Sequence, residues 1–501
     1  MELLLGIDIG TSSCKIDAFD SNGNSIMHES HIYKIHKPHM NWAEQDPEDW
    51  WLAVCSLLKK MTAFLYGKGH TIVGIGIDGQ GWSMVPIDKV GTVLHNSPIW
   101  MDHRAQDICT RFKQEIGEDN IFAISGNPME PTYSLPKLLW LKEHKPEIYE
   151  KTDKVLQASS YIVYKLTQSI TQDISQGYAL QCFDIKNGKW HDDLIKAFGI
   201  SRSYLPEIVN SDEIVGHITQ DASVQTGLKT GIPVVAGGLD AACGTLGVGV
   251  FQHGDVQEQG GQAEGMSICL DSCIADPKLI LGFHVVPGKW LLQGGTVGGG
   301  GVHDWVKNNI CLSEEHITSN DNIYQQMDSL AQAIPPGSDG VVFLPYMAGE
   351  RSPIWDPHAK AVYYGLDYSK TKGHLIRATQ EAVAFSLKHN LDHAERSGAK
   401  VDILYAMGGS ANSSFWTQMK ADITGKKIIV SASDSATTLG AAILAGIAIG
   451  MYKNYNDAKN QTFKVQKEYI PNKEHCSDYE KSYVKYLQLY KTLNKFMYEY
   501  A

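Results

Sequence analysis

One pattern limits the fold of this chain more than any other: a strand, a glycine-rich turn and a second strand occur twice, far apart in sequence. The first copy runs from the apolar residues 3–9 through Gly10-Thr11-Ser12-Ser13 into the alternating residues 14–19. The second runs from Asp255-Val256-Gln257-Glu258-Gln259 through residues 260–265 into residues 266–270. A supersecondary unit repeated in this way points to an internal duplication with its boundary near residues 245–255. With 501 residues, the chain is long enough for each half to bury its own core.

Between and around the two copies, strands alternate with helices, which places the chain in the α/β class. Asp20-Ser21-Asn22-Gly23 turns the chain into a third strand. Asp46, Pro47, Glu48 and Asp49 form a helix start signal, followed by an apolar stripe of Trp50, Trp51, Val54, Leu57, Leu58 and Met61. Residues 72–77 read as a buried strand and residues 104–116 and 135–144 as helices. The strand at 234–236 runs into Gly237-Gly238-Leu239-Asp240, and the strand at 403–407 precedes a helix over 415–423. In the tail, Tyr479, Tyr483, Tyr486 and Tyr490 share one helical face, which predicts a closing helix packed on the second half. The expected units are therefore 1–248, 249–450 and a helical extension, 451–501.

Composition removes several function classes. Forty-four Lys and Arg against 56 Asp and Glu give a net charge of −12, which argues against a nucleic-acid or anionic-membrane surface. No apolar run reaches the length of a membrane span; the longest, residues 441–449, contains Gly446. The start has no basic stretch of the signal-peptide kind. Nine cysteines lie scattered without a C-x-x-C pair, the usage expected of reduced thiols in the cytoplasm.

The residues with chemical potential sit at strand ends. Asp8 precedes Gly10, Thr11, Ser12 and Ser13, so its carboxylate could hold Mg²⁺ while the turn faces phosphate oxygens; equally, local backbone could satisfy it in a hairpin. No G-x-x-x-x-G-K-[ST] loop exists, and the first turn opens a strand rather than a helix, which excludes a dinucleotide fingerprint. Gly408-Gly409-Ser410-Ala411-Asn412-Ser413 lies at a strand-to-helix turn where a flat ligand can approach backbone, or where Asn412 or Ser413 simply caps the helix. Gly294, Gly295 and residues 298–301 form another glycine-dense stretch. Asp240 reads either as a general base or as the N-cap of the helix that follows it.

Taken together, the motifs resemble those of the FGGY carbohydrate kinases, within the actin, hexokinase and heat-shock chaperone superfamily. They occur in one order over residues 3–450: GIDIGTSS, Trp42-Ala43-Glu44-Gln45-Asp46-Pro47, Trp100-Met101-Asp102-His103-Arg104, Gly237-Gly238-Leu239-Asp240, and Gly408-Gly409-Ser410 with Gln418, Ala421-Asp422 and Gly425. The stretch from Gly365-Leu366 to Glu381-Ala382-Val383-Ala384-Phe385 is similar to that family's second-domain signature. Gly126-Asn127-Pro128 with Pro136-Lys137-Leu138-Leu139-Trp140 is most similar to the xylulokinase-like members, whereas the Trp100 motif is also the ribulokinase-like form.

The resemblance implies two ribonuclease-H-like domains around a central cleft, with ATP and Mg²⁺ as partners of the reaction, a sugar as acceptor, a cytoplasmic setting and a homodimer as seen in many relatives. It implies Asp240 as catalytic base and Asp8 at the metal. Gly10 to Ser13 and Gly261 with Gln262 become the phosphate segments, with Gly298 and Gly299 near the triphosphate and Gly408, Gly409, Ser410 and Asn412 at the adenosine. Asp78, Gln80, Trp82, Trp100, Asp102 and Arg104, with Asp240, line the sugar. Two departures stand out. Gln262 and Ala263 replace the family's Thr and Ser, with Glu264 adding a negative charge nearby, and Trp82 replaces a histidine that would bond a sugar hydroxyl. The leading expectation is ATP-dependent phosphorylation of a ketopentose such as xylulose; the alternative is a weakened sugar-binding or regulatory protein on the same fold.

Overall fold

Leu3, Leu5, Ile7 and Ile9 are fully buried in one apolar cluster while Leu4 is buried in another, so the first strand is covered on both faces, as its unbroken apolar run requires. The computed structural model describes residues 1–311, 323–432 and 435–500. β1 (Glu2–Ile9) pairs antiparallel with β2 (Ser13–Phe19), and β2 with β3 (Ser25–Ile32). On its other edge β1 runs parallel to β4 (Thr71–Gly79). Beyond β5 (Ile214–His217), β6 (Pro233–Val235) and β7 (Gly238–Leu239) each run parallel to β4, with β5 antiparallel to β6.

The second sheet comprises β8 (Asp255–Gly260), β9 (Glu264–Leu270), β10 (Ile280–Phe283), β11 (Trp290–Thr296), β12 (Ile403–Met407), β13 (Lys427–Ser431) and β14 (Val465–Tyr469). Its core repeats the first: the order β3-β2-β1-β4-β6 recurs as β11-β9-β8-β12-β13, with the same parallel and antiparallel senses. This is the duplication that the two glycine turns announced.

Helices follow the expected signals with informative exceptions. α1 (Pro47–Gly67) starts where Asp46 accepts the N–H of Glu48 at 2.9 Å. α2 (Gln106–Phe112) is shorter than the predicted 104–116, because Lys113–Gly117 forms a π turn that ends at Gly117 with φ 91°. α3 (Ser134–His144), α4 (Asp240–Gly247), α5 (Gly300–Val306), α6 (Lys372–Arg396) and α7 (Ser414–Thr424) occupy the connections. α8 (Ala436–Ala448) carries the long apolar run, and it lies on the first sheet although it follows the second. Gly6 and Gly76 make this possible: a side chain at either would collide with the carbonyl of Thr438 or Ala441. The halves are further bracketed by Asn127, whose amide bonds the backbone of Leu281 at 2.7 and 2.9 Å.

The tyrosines of α9 (Lys473–Tyr500) bond residues of the second half. Tyr346 donates to Tyr486 at 2.7 Å, Tyr483 to Asp392 at 2.8 Å and Tyr490 to Asp356 at 2.7 Å. The segment leading into it also reaches the first sheet, through Tyr452 to the carbonyl of Ser21 (3.1 Å) and Lys464 to Asn24 (2.7 Å). The extension therefore ties both halves together rather than covering one. No helix among the described residues is long and apolar enough to cross a membrane.

Candidate active site

Parallel strands end together at one edge of the first sheet, and their carboxyl ends carry acids. Asp8 of β1 stands beside Asp78 of β4, and Gly238 of β7 pairs with Asp78 from the other side, two residues before Asp240. Clefts at the carboxyl ends of parallel strands are the usual ligand seats of α/β folds. Asp8 and Asp78 are buried. Lys15 lies 3.5 Å from Asp8 Oδ2, whereas Asp8 Oδ1 and both oxygens of Asp78 have no donor. Burial raises the pKa of both carboxyls, and for Asp78 the neighbouring charges of Asp8 and Asp240 raise it further.

Asp240 is the first residue of α4, and the cap position belongs to Leu239. Its Oδ1 meets only the adjacent N–H of Ala241, at 2.6 Å. The N-cap reading of Asp240 is thus not what the structure contains: its carboxylate does not close the helix end. Burial, with the charge of Asp8 next, pushes this carboxyl up to about 7.

The residues expected at the sugar divide into two groups. Trp82 stands at φ 61°, against Tyr133 at 4.7 Å and Tyr178 at 6.4 Å between ring centroids. Gln80 donates to Gln45 Oε1 at 2.7 Å and keeps a buried Oε1 of its own without a donor. Trp100 donates to Thr11 Oγ1 at 2.9 Å, so the first turn and the Trp100 segment are directly linked. Asp102 is different. It is fully buried, and its oxygens accept from Ala43 N (2.7 Å), Arg104 N (3.0 Å), Arg104 Nε (2.9 Å) and Arg104 Nη2 (2.8 Å). Four bonds engage both oxygens of this carboxylate. It holds Arg104. That guanidinium also pairs with Glu44 at 2.7 Å and lies over Trp42 at 3.8 Å, leaving only Nη1 without a partner.

On the second sheet, the β8–β9 turn closes from Gly261 N to Ala263 O at 3.0 Å. Its carbonyls at Gly261 and Gln262 accept the N–H groups of Gly300 and Gly301 (2.8 and 2.9 Å), joining the turn to the glycine-dense stretch. Glu350 braces that stretch, accepting from Thr296 Oγ1 (2.6 Å) and Val297 N (3.0 Å). The turn after β12 packs directly on the first: Gly408, at φ 88°, abuts the backbone of Gly260, where a side chain would clash. Gly409 and Asn412 are exposed, and Ser413 caps α7 by accepting Trp416 N at 3.0 Å. The Ser410 hydroxyl is buried and bonds Lys420 Nζ at 3.0 Å. Glu264 likewise adds no charge at the turn's surface, because it points inward to the same lysine.

Family models decide what this arrangement belongs to. Residues 3–247 match the FGGY family of carbohydrate kinases, N-terminal domain, and residues 272–449 match its C-terminal domain. The chain belongs to the FGGY family of carbohydrate kinases. This kinase is 31% identical over 493 residues to a xylulose kinase of Staphylococcus epidermidis, covering 98% of the chain and 97% of that protein. It is 30% identical to a gluconokinase of Bacillus subtilis, over 90% of the chain and 89% of the relative. A ligand-bound xylulose kinase from Lactobacillus acidophilus superposes with a TM-score of 0.92 at 25% identity, with both chains fully covered. The two-domain fold of the actin and hexokinase type is therefore the fold of this kinase.

Tyr133, Tyr178, Glu350 and Lys420 escaped the reading of the sequence. For Lys420 a signal existed: it falls on the buried stripe of α7 with Trp416, Met419 and Ile423, where a charge needs a partner.

Proposed function

We propose that this kinase transfers the γ-phosphoryl group of ATP to a hydroxyl of a ketopentose, xylulose or a close relative. The observation that carries the reading is Asp240: a carboxyl at a strand-end cleft, released from capping, with its pKa pushed up to about 7. A sugar hydroxyl gives its proton to such a base as its oxygen bonds the γ-phosphorus and the bond to the β-phosphate oxygen breaks, releasing ADP. Gly10, Thr11, Ser12, Ser13, Gly261, Gln262, Gly298 and Gly299 would line the phosphates, with Gly408, Gly409 and Asn412 at the adenosine. Trp82, Gln80, Trp100 and Arg104 Nη1 would face the sugar, and Asp102 would act by orienting Arg104. Likeness to xylulose kinases supports a ketopentose over gluconate, and the aromatic wall of Trp82, Tyr133 and Tyr178 suits the apolar face of a sugar ring or chain.

The donor set at Asp8 fits Mg²⁺: a hard cation accepts one or two carboxylates plus water and phosphate, and Asp8 offers a buried oxygen without a donor. When bound, the ion neutralises charge on the phosphates. Asp78, with both oxygens unpartnered, would stand between this ion and the sugar. We assign the sugar side to residues 1–248, the nucleotide side to 249–450 and the brace to 451–501. We also place the enzyme in the cytoplasm, in keeping with nine unpaired cysteines, as a homodimer that light scattering would verify.

An ADP-release assay across pentuloses, hexuloses, aldonates and polyols tests the substrate. Highest kcat/KM on a ketopentose is expected; highest on gluconate overturns the assignment. Absence of turnover on every sugar, with sugar binding retained, would favour the weakened binding protein. Asp8→Ala should abolish turnover and leave sugar binding intact by calorimetry.

A further inference from the structure

The ammonium of Lys420 is enclosed by three side chains from three segments: Glu258 Oε1 at 2.7 Å, Glu264 Oε2 at 2.9 Å and Ser410 Oγ at 3.0 Å. Glu258 lies near the end of β8, Glu264 opens β9, and Ser410 belongs to the turn after β12. All four residues are buried. Two carboxylates share one cation, and Glu258 Oε2 and Glu264 Oε1 have no donor. Such a cluster is costly to bury, and replacing it by neutral side chains is often harmless to stability. Its cost calls for a return in geometry. The three anchor points surround the place where Gly408 meets Gly260, so the lysine sits behind the junction of the two glycine turns.

We propose that Lys420 is a positioning residue for the nucleotide, holding the β8–β9 turn and the turn at residues 408–412 at the spacing that ATP bridges. The proposal rests on the reading of these turns as the nucleotide site. Through Glu264 the lysine fixes the strand that leaves the phosphate turn, and through Ser410 it fixes the turn proposed for adenosine. Ser410, whose hydroxyl accepts from the lysine, is thus one of the points by which that turn is held. Sites work best when the groups that touch the ligand are locked from behind, and a buried ammonium with three oxygen partners supplies that lock.

Two variants and one control test this. Lys420→Met should raise KM for ATP about tenfold or more while KM for the sugar stays within about twofold. The neutral triple variant, Glu258→Gln, Glu264→Gln and Lys420→Met, leaves no buried charge and carries the test should the single variant fail to fold. It should melt near the wild type and still bind ADP about tenfold more weakly by calorimetry. Wild-type ADP affinity in the folded triple variant would overturn the proposal. Gly409→Phe, at an exposed position with open space around it, separates this from the underlying reading. Unchanged ADP affinity in Gly409→Phe would mean that the turn is not the nucleotide site. Lost affinity there, together with normal affinity in the triple variant, would mean that the site stands and Lys420 does not position it.

Discussion

Asp8 and Asp78 lie side by side on adjacent parallel strands, and neither oxygen of Asp78 meets a donor. Burial disfavours the charged form of both carboxyls, and for Asp78 the neighbouring acids Asp8 and Asp240 add to it. The arrangement stores unfavourable charge where a cation is expected, which is how acidic sites are kept ready for a metal at the expense of stability.

Asp78→Asn should therefore stabilise the ligand-free protein, because a neutral amide that can donate to Asp8 replaces a carboxyl whose charged form burial and two neighbouring acids disfavour. Thermal melting at pH 8, where the unfolded carboxyl is fully ionised, should show a rise of a few degrees. A lower melting temperature would mean that the Asp78 carboxyl makes a stabilising contact in solution.

Asp240→Asn should reduce kcat by roughly 10²-fold or more, with the melting temperature and sugar binding near those of the wild type. The structure strengthens the stability half of this expectation, since the carboxylate does not cap α4. For the wild type, a folded-state value of about 7 means that the base is protonated on the acid side. The limiting kcat/KM should fall about tenfold per unit as pH drops below that value. A flat profile from pH 8 to 5.5, or normal turnover in the folded variant, would remove Asp240 as the base.

Trp82→His should change the ranking of ketoses by roughly 1–3 kcal/mol in kcat/KM, because an acceptor and a donor replace an indole that can only donate. Histidine is also tolerated better than most residues at positive φ, so the backbone at 61° is not expected to move. An unchanged ranking would assign Trp82 to packing against Tyr133 and Tyr178 alone.

Glu264 gives a pH signature of its own. Burial and Glu258 push its carboxyl up to about 8 despite Lys420, from an ordinary value of 4.5. Between those values the folded protein binds a proton that the unfolded chain has lost, so stability falls as pH rises through this window. Chemical denaturation of the wild type and of Glu264→Gln should therefore diverge progressively from pH 5 to 8, the variant gaining relative to the wild type. Parallel curves would show that the carboxyl ionises normally.

What could be read from the sequence was local. The repeated strand, turn and strand dictated two like sheets because hydrophobic period and glycine placement act over a few residues, and the Asp46–Pro47 start of α1 is likewise complete within one turn. The positions of Asp8 and Asp240 at strand ends were legible for the same reason. Side-chain direction was not. How Asp102 and Glu264 are engaged depends on partners brought from distant segments, and which way Ser410 and Asp240 turn depends on the packing around them. Asp102 accepts from Ala43, 59 residues away, and Glu264 from a lysine 156 residues away. A charge in a core must find its counter-charge through the whole fold, and the placement of α8 on the first sheet depends on two glycines, Gly6 and Gly76, that lie hundreds of residues before it. Local propensity selected the elements and their order. Long-range packing and the cost of burying unpaired polar groups decided which of the chemically capable residues were left free to act.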